Sequence, residues 1–351
     1  MFDFLNLWTL FNSITMLISF TTTVVVGKIL IQVLSKLKYS QSILEIGPSW
    51  HKIKQGTPTM GGISLIVSVL VSSLLIPAYY LFSNLKDVVF FENKVVIVKI
   101  FAGSLMSVLF GFIGFVDDLT KIRNKKNLGL TPIQKLILQF LVSIVYLGLI
   151  YTSEMFYSSR INTSVNIPFL GNLNLGIFYW PISAIVIVAI VNAVNLTDGI
   201  DGLCSSISFV AGIGFMFAGR LLFMFGFSVL GAALIGSCLG FLVWNFHPAK
   251  IFMGDTGSLF LGGFICSIGF GMGNISLLLL LSAVYLIEML SVILQVIYFK
   301  ISNGKRLFKM SPIHHHFEMS GLKETRICLT FSCVAIIFTL IALFLLIHGI
   351  I

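Results

Sequence analysis

The sequence predicts an all-α, polytopic membrane protein, a bundle of about ten transmembrane helices. Three observations carry that expectation. The 351 residues are 57% hydrophobic and only 10% charged, a poor composition for a water-soluble globule. The apolar residues gather in runs of about 20, the length a helix needs to cross a hydrocarbon core of roughly 30 Å. Finally, lysine and arginine concentrate in alternate loops.

The apolar runs lie near 11–34, 59–82, 95–116, 134–153, 177–194, 203–219, 221–243, 258–273, 275–299 and 327–349. They lack the roughly ten-residue alternation of an outer-membrane barrel, so helices are the expected spanning element. Asp3 is the only charge in the first 27 residues, and no basic region with a small-residue cleavage site is present. The first span is therefore expected to remain. Little chain is left over, which predicts one integral membrane domain across 1–351.

The loops after odd-numbered spans carry sixteen Lys and Arg against four in the others. Positive-inside logic then places the odd loops in the cytoplasm and both termini outside. The net charge of +9 is mostly this topology signal, with a contribution to holding anionic substrates or lipid headgroups, and no nucleic-acid partner is expected. The five cysteines lie in or beside apolar runs without a CxxC pair, so neither a disulfide frame nor a zinc site is indicated.

Polar residues gather on that one predicted face. In "FVDDLTKIRNKKNLGL", a helical continuation puts Asp117, Lys121 and Lys125 on one side and turns Asp118 about 100° away. The pair is either a solvated helix end or two carboxylates serving different sites. In "IVNAVNLTDGIDGL", Asn192, Asn195, Asp198 and Asp201 recur every three residues, and Gly199 and Gly202 predict a turn. Capping explains the aspartates but leaves Asn192 and Asn195 in an apolar span needing partners.

"WNFHPAKIFMGDTGSLFLGG" places Asp255 in a glycine-flanked turn opening the eighth span. Asp255, Thr256 or Ser258 caps that helix, or the helix start offers free N–H groups to phosphate while Asp255 holds Mg²⁺. In "FKMSPIHHHFEMSG", adjacent histidines diverge and nothing completes a zinc tetrahedron, whereas hydrogen bonding to a diphosphate or acid–base work remains open. "IKQGTPTMGG" adds Lys54 and Thr59, and Glu288 is a membrane acid expected to find its partner in a basic loop. The outer acids, Glu154 among them, read as plain solvated surface. Each segment has a bland explanation, but together they assemble oxygen donors, lysines and histidines on one side. Hard oxygens favour Mg²⁺, and Mg²⁺ with cations suits a diphosphate. A secondary transporter is the competing class, though its acids would lie at the midplane.

In this order, "GTPTMGG", "GFVDDLTK", "NAVNLTDGIDGL", "FMGDTGSL" and "SPIHHHFE" resemble the phospho-N-acetylmuramoyl-pentapeptide transferases, translocase I of peptidoglycan synthesis. These belong to the superfamily of polyprenyl-phosphate N-acetylhexosamine-1-phosphate transferases. The resemblance runs from about residue 45 to 322; beyond it, "LKETRICLTF" departs from the family's usual Trp, Pro and Arg-Phe-Trp pattern. It implies an Mg²⁺-dependent enzyme of the bacterial inner (cytoplasmic) membrane, with periplasmic termini and a ten-helix scaffold that is often a homodimer. The implied reaction passes phospho-MurNAc-pentapeptide from UDP-MurNAc-pentapeptide to undecaprenyl phosphate, giving lipid I and UMP. A UDP-GlcNAc 1-phosphate transferase is the sister alternative.

Carried over by matching motifs, the resemblance gives Asp255 the metal and puts Asp117 and Asp118 at the catalytic centre, with His314 beside them. Substrate contacts fall to Lys54, Thr59, Lys121, Lys125, Lys135, Asn195, Asp198, Asn245, Phe252, Gly254 and His315. Asp201 and His316 join them from the same segments.

Overall fold

The computed structural model describes residues 2–37, 39, 54–76, 94–124, 129–158 and 161–351, with side chains from residue 8 onward. The helices are α1 (Phe2–Lys36), α2 (Gly62–Ser73), α3 (Lys94–Asn124), α4 (Pro132–Tyr157), α5 (Tyr179–Thr197), α6 (Leu203–Leu221), α7 (Phe225–Asn245), α8 (Gly254–Gly271), α9 (Ile275–Leu281), α10 (Ala283–Ile301), α11 (Ile313–Glu318) and α12 (Glu324–Ile347). Among the described residues, eight helices are long and apolar enough to cross a membrane: α1, α3 to α7, α10 and α12. The expected all-α polytopic architecture is what the chain forms.

The centre of the bundle is α8. Every residue from Thr256 to Gly271 is buried, and the helix packs mainly on α3 and α5. A helix enclosed by protein on all sides has no lipid to face, which lets its sequence carry glycine and serine where an outer span carries leucine. Gly114 of α3 shows how close the approach is: a Cβ there would lie 2.1 Å from the Asp255 carbonyl oxygen. The α3 and α8 backbones therefore touch beside the polar face.

Helix α4 begins at a capping box. The Thr131 hydroxyl accepts from Gln134 N at 3.3 Å, Gln134 Oε1 accepts from Thr131 N at 3.0 Å, and Pro132 opens the first turn. Alternation of direction brings the C-terminal ends of α3, α5 and α10 and the N-terminal ends of α4, α8 and α12 to one end of the bundle. That end holds the polar segments.

Four expectations change. The run 275–299 is two helices, α9 and α10, broken at Ser282. The run 59–82 is helical from Gly62, and 77–82 lies outside the described residues. At the opposite end, Ser164–Ile167 (β1) and Gly171–Asn174 (β2) pair antiparallel, Ser164 opposite Asn174, in a hairpin where no strand was expected. Glu154 beside it is not solvated surface. It is 6% exposed, forms an ion pair of 2.7 Å with Lys99, and accepts from Asn162 N at 3.1 Å. Lys99 had been hidden inside an apolar run, so its partner was invisible in one dimension.

Candidate active site

Asp117 and Asp118 close α3, and as the helical spacing required they face different partners. The two oxygens of Asp118 accept from Asp255 N (3.2 Å), Thr256 N (2.9 Å) and Thr256 Oγ1 (2.7 Å). Asp118 thus caps the N-terminus of α8 from another helix. Two of the N–H groups expected to be free there, those of Asp255 and Thr256, are already satisfied, and none of Asp255, Thr256 and Ser258 supplies the cap. Gly254 makes the close approach feasible, with φ at +72° and a hypothetical Cβ 2.6 Å from Asp118 Oδ2 and 2.9 Å from Thr59 Oγ1.

Asp117 forms the first step of a charge network. Its Oδ1 accepts from Leu130 N at 2.7 Å, and its Oδ2 meets Lys121 Nζ at 2.6 Å. Lys121 also reaches Asp255 Oδ2 at 2.8 Å, where Lys135 from the first turn of α4 arrives at 3.0 Å. Asn195, near the end of α5, donates to Asp255 Oδ1 and to Ser258 Oγ, both at 2.8 Å. Four helices thereby converge on one carboxylate. Asp117, Asp118 and Asp255 each bring an oxygen within 4.8 Å of the others. Three carboxylates against Lys121 and Lys135 leave one net negative charge in this cluster.

The polar stripe of the fifth span divides at the end of α5. Asn192 and Asn195 are helical, while Asp198 and Asp201 lie beyond Thr197. Asp198 sits near the network: burial first, then the charges of Asp255, Asp118 and Asp201, push its carboxyl well above the usual carboxylate range.

Asp201 turns to a second cluster. Lys54 bridges Asp201 Oδ1 (2.8 Å) and Glu324 Oε2 (2.7 Å), and His247 Nδ1 lies 3.1 Å from Asp201 Oδ2. These residues line a cavity of about 580 Å³ with Thr57, Glu318 and Lys323. Asn245 is a cross-tie, accepting from Gly202 N at 3.1 Å and donating to Ile251 O at 3.0 Å. Phe252 is pinned by its backbone, donating to Pro58 O and accepting from Gly61 N. Thr59 is buried over the Gly254 turn, and Lys125 lies outside the described residues.

The histidines separate into three environments. His314 is fully buried, its Nδ1 3.1 Å from Glu288 Oε2, and a Cβ on Gly199 would lie 2.3 Å from its Nε2. It backs the Asp198–Gly199 turn and gives Glu288 the partner expected from the last loop. His315 Nδ1 pairs with Glu318 at 2.9 Å, and His316 Nδ1 accepts from Lys309 N at 3.1 Å. Sequence reasoning offered Thr256 and Ser258 only as helix caps and did not single out Glu324, which lies between the last motif and the last apolar run.

The fold is that of a polytopic membrane protein with a charged site at one end, and residues 100–273 match the family model described as glycosyl transferase family 4, which places the chain among the transferases. Three relatives carry the name phospho-N-acetylmuramoyl-pentapeptide-transferase. That of Halalkalibacterium halodurans is 42% identical over 95% of this chain and 96% of its own length. Those of Clostridioides difficile and Clostridium botulinum are 41% and 43% identical, over 94% and 93% of this chain and 96% and 94% of their own lengths. The chain belongs to the phospho-N-acetylmuramoyl-pentapeptide-transferase family.

Proposed function

We infer that this protein transfers phospho-N-acetylmuramoyl-pentapeptide from UDP-MurNAc-pentapeptide to undecaprenyl phosphate, releasing UMP and leaving lipid I in the bacterial inner membrane. The observation that carries the reading is the convergence of Asp117, Lys121, Lys135 and Asn195 on Asp255 at one end of an apolar bundle. Phosphoryl transfer between a nucleotide sugar and a lipid phosphate needs that combination of acids and cations at a membrane surface.

The cluster fits a divalent cation. Its donors are hard carboxylate oxygens, it carries excess negative charge, and Asp255 with Asp117 would hold Mg²⁺ while Asp118 remains committed to α8. When bound, the ion supplies charge neutralisation for the diphosphate and the departing UMP. The chain's own residues do the rest. Lys121 and Lys135 turn from Asp255 to the phosphates, and Asn195 orients the Asp255 carboxylate. A phosphate monoester has a second pKa near 6, so the lipid acceptor is largely dianionic at neutral pH and needs orientation more than deprotonation. Asp117 positions that oxygen or removes its residual proton. The oxygen then attacks the sugar-bearing phosphorus directly as the bond to UMP breaks.

The test measures UMP release by purified protein with undecaprenyl phosphate and Mg²⁺, offered UDP-MurNAc-pentapeptide or UDP-GlcNAc. Release from the first substrate alone is expected; preference for UDP-GlcNAc would overturn the assignment. Radiolabel retained on protein after incubation with the nucleotide substrate alone would overturn the single displacement.

A further inference from the structure

The turn of α4 that carries Lys135 is held by its capping box, by Leu130 N on Asp117 and by Lys135 on Asp255, but it buries no side chain. Residues 131–138 are exposed or half-exposed, and the first buried side chain of the helix is Gln139, with 0% exposure. Gln139 lies one helical turn after Lys135, and Asn192 lies three residues before Asn195 on α5. Their amides bond reciprocally: Asn192 Nδ2 donates to Gln139 Oε1 at 2.7 Å, and Gln139 Nε2 donates to Asn192 Oδ1 at 3.3 Å. Asn192 Nδ2 also donates to Val188 O at 2.8 Å. The two helices therefore meet at two successive rungs. The outer rung is Lys135 with Asn195, at 3.5 Å, both bonded to Asp255. The inner rung is the amide pair.

We propose that Gln139 and Asn192 are positioning residues for the transferase reaction, fixing the register of α4 against α5 so that Lys135 and Asn195 reach Asp255 together. An apolar contact tolerates sliding and rotation, whereas a reciprocal amide pair has one good alignment. A slip of either helix breaks both bonds and leaves the buried Gln139 amide and the half-buried Asn192 amide without each other. The effect passes through the backbone to Lys135, since neither amide contacts Asp255.

The inference rests on the transferase reading, and its test separates the two. Full-length protein in detergent is prepared as wild type, Gln139→Leu, Gln139→Asn, Asn192→Gln and the double exchange Gln139→Asn with Asn192→Gln. UMP release gives kcat and KM, thermal unfolding gives stability, and mass spectrometry follows acylation of Lys135 by an amine reagent. Gln139→Leu is expected to lower kcat about tenfold or more and to raise KM for the nucleotide substrate, with faster Lys135 acylation. Each single exchange loses activity because one amide is a methylene too short or too long. The double exchange conserves the summed length and is expected to recover kcat to within about threefold of wild type, whereas a merely structural pair would show the coupling in the melting temperature and leave the kcat of the folded protein unmoved. Wild-type kcat in Gln139→Leu, or a double exchange no better than the worse single variant, overturns the proposal. So does failure of every Gln139 variant to give monodisperse protein, which would make the pair a requirement of the fold. If wild type itself releases no UMP, the transferase reading fails, and the acylation rates still decide the register.

Discussion

Two neighbouring aspartates behave as unlike residues because a helix sends consecutive side chains about 100° apart. Asp118 holds the start of α8. Asp118→Ala leaves two N–H groups of α8 without acceptors, at about 1–3 kcal/mol each, and should lower the melting temperature measurably; Asp118→Asn should fall between. Asp117→Asn keeps an acceptor for Leu130 N and is expected to abolish turnover while melting near wild type. Asp198 supplies a pH test. Its carboxyl is raised in the folded state, so the folded protein binds more protons than the unfolded chain, and stability falls as pH rises above the ordinary Asp value toward the raised one. In metal-free detergent, Asp198→Asn should therefore melt higher than wild type at pH 8, with the difference vanishing at acid pH. A constant gap across pH would contradict the raised carboxyl.

At the scale of elements, the close contact of α3 and α8 fixes the distance between Asp117 and Asp255. Gly114→Ala puts a methyl into backbone atoms that have no side-chain freedom to yield, and overpacking of this kind costs typically about 1–3 kcal/mol. The expected result is a lower melting temperature together with reduced kcat, while Ala at Gly148, where a Cβ meets nothing within 4 Å, changes neither. Much of this scale was legible in the sequence. Hydropathy announced the spans, and the i, i+4 spacing announced the pairing of Asp117 with Lys121. What stayed hidden is contact between distant segments. No local pattern says that Asp118 caps α8, that Lys54 sits between Asp201 and Glu324, or that Lys99 answers Glu154. Asn192 was recognisable as an amide inside an apolar span needing a partner, but Gln139 became its partner only when α4 lay against α5. The break at Ser282 was masked because both halves are equally apolar.

For the whole molecule, the charge asymmetry of the loops predicts sidedness, and labelling measures it. In a background with the five native cysteines replaced, a cysteine at Asn172 in the hairpin should react with an impermeant maleimide on intact cells, and one at Gly304 only after permeabilisation. The opposite pattern would invert the proposed orientation and separate the site from a cytoplasmic nucleotide. The cap formed by Asp118 has a last consequence. Because the Asp255 and Thr256 amides at the start of the central helix are consumed internally, anionic groups of an incoming nucleotide are gripped mainly by ammonium side chains rather than by fixed backbone dipoles. Such a grip is partly open to counterions, whose screening length shrinks to about 8 Å at 0.15 M and about 3 Å at 1 M salt. Capture of the nucleotide should accordingly weaken with ionic strength, its KM climbing as potassium chloride is added while kcat holds steady.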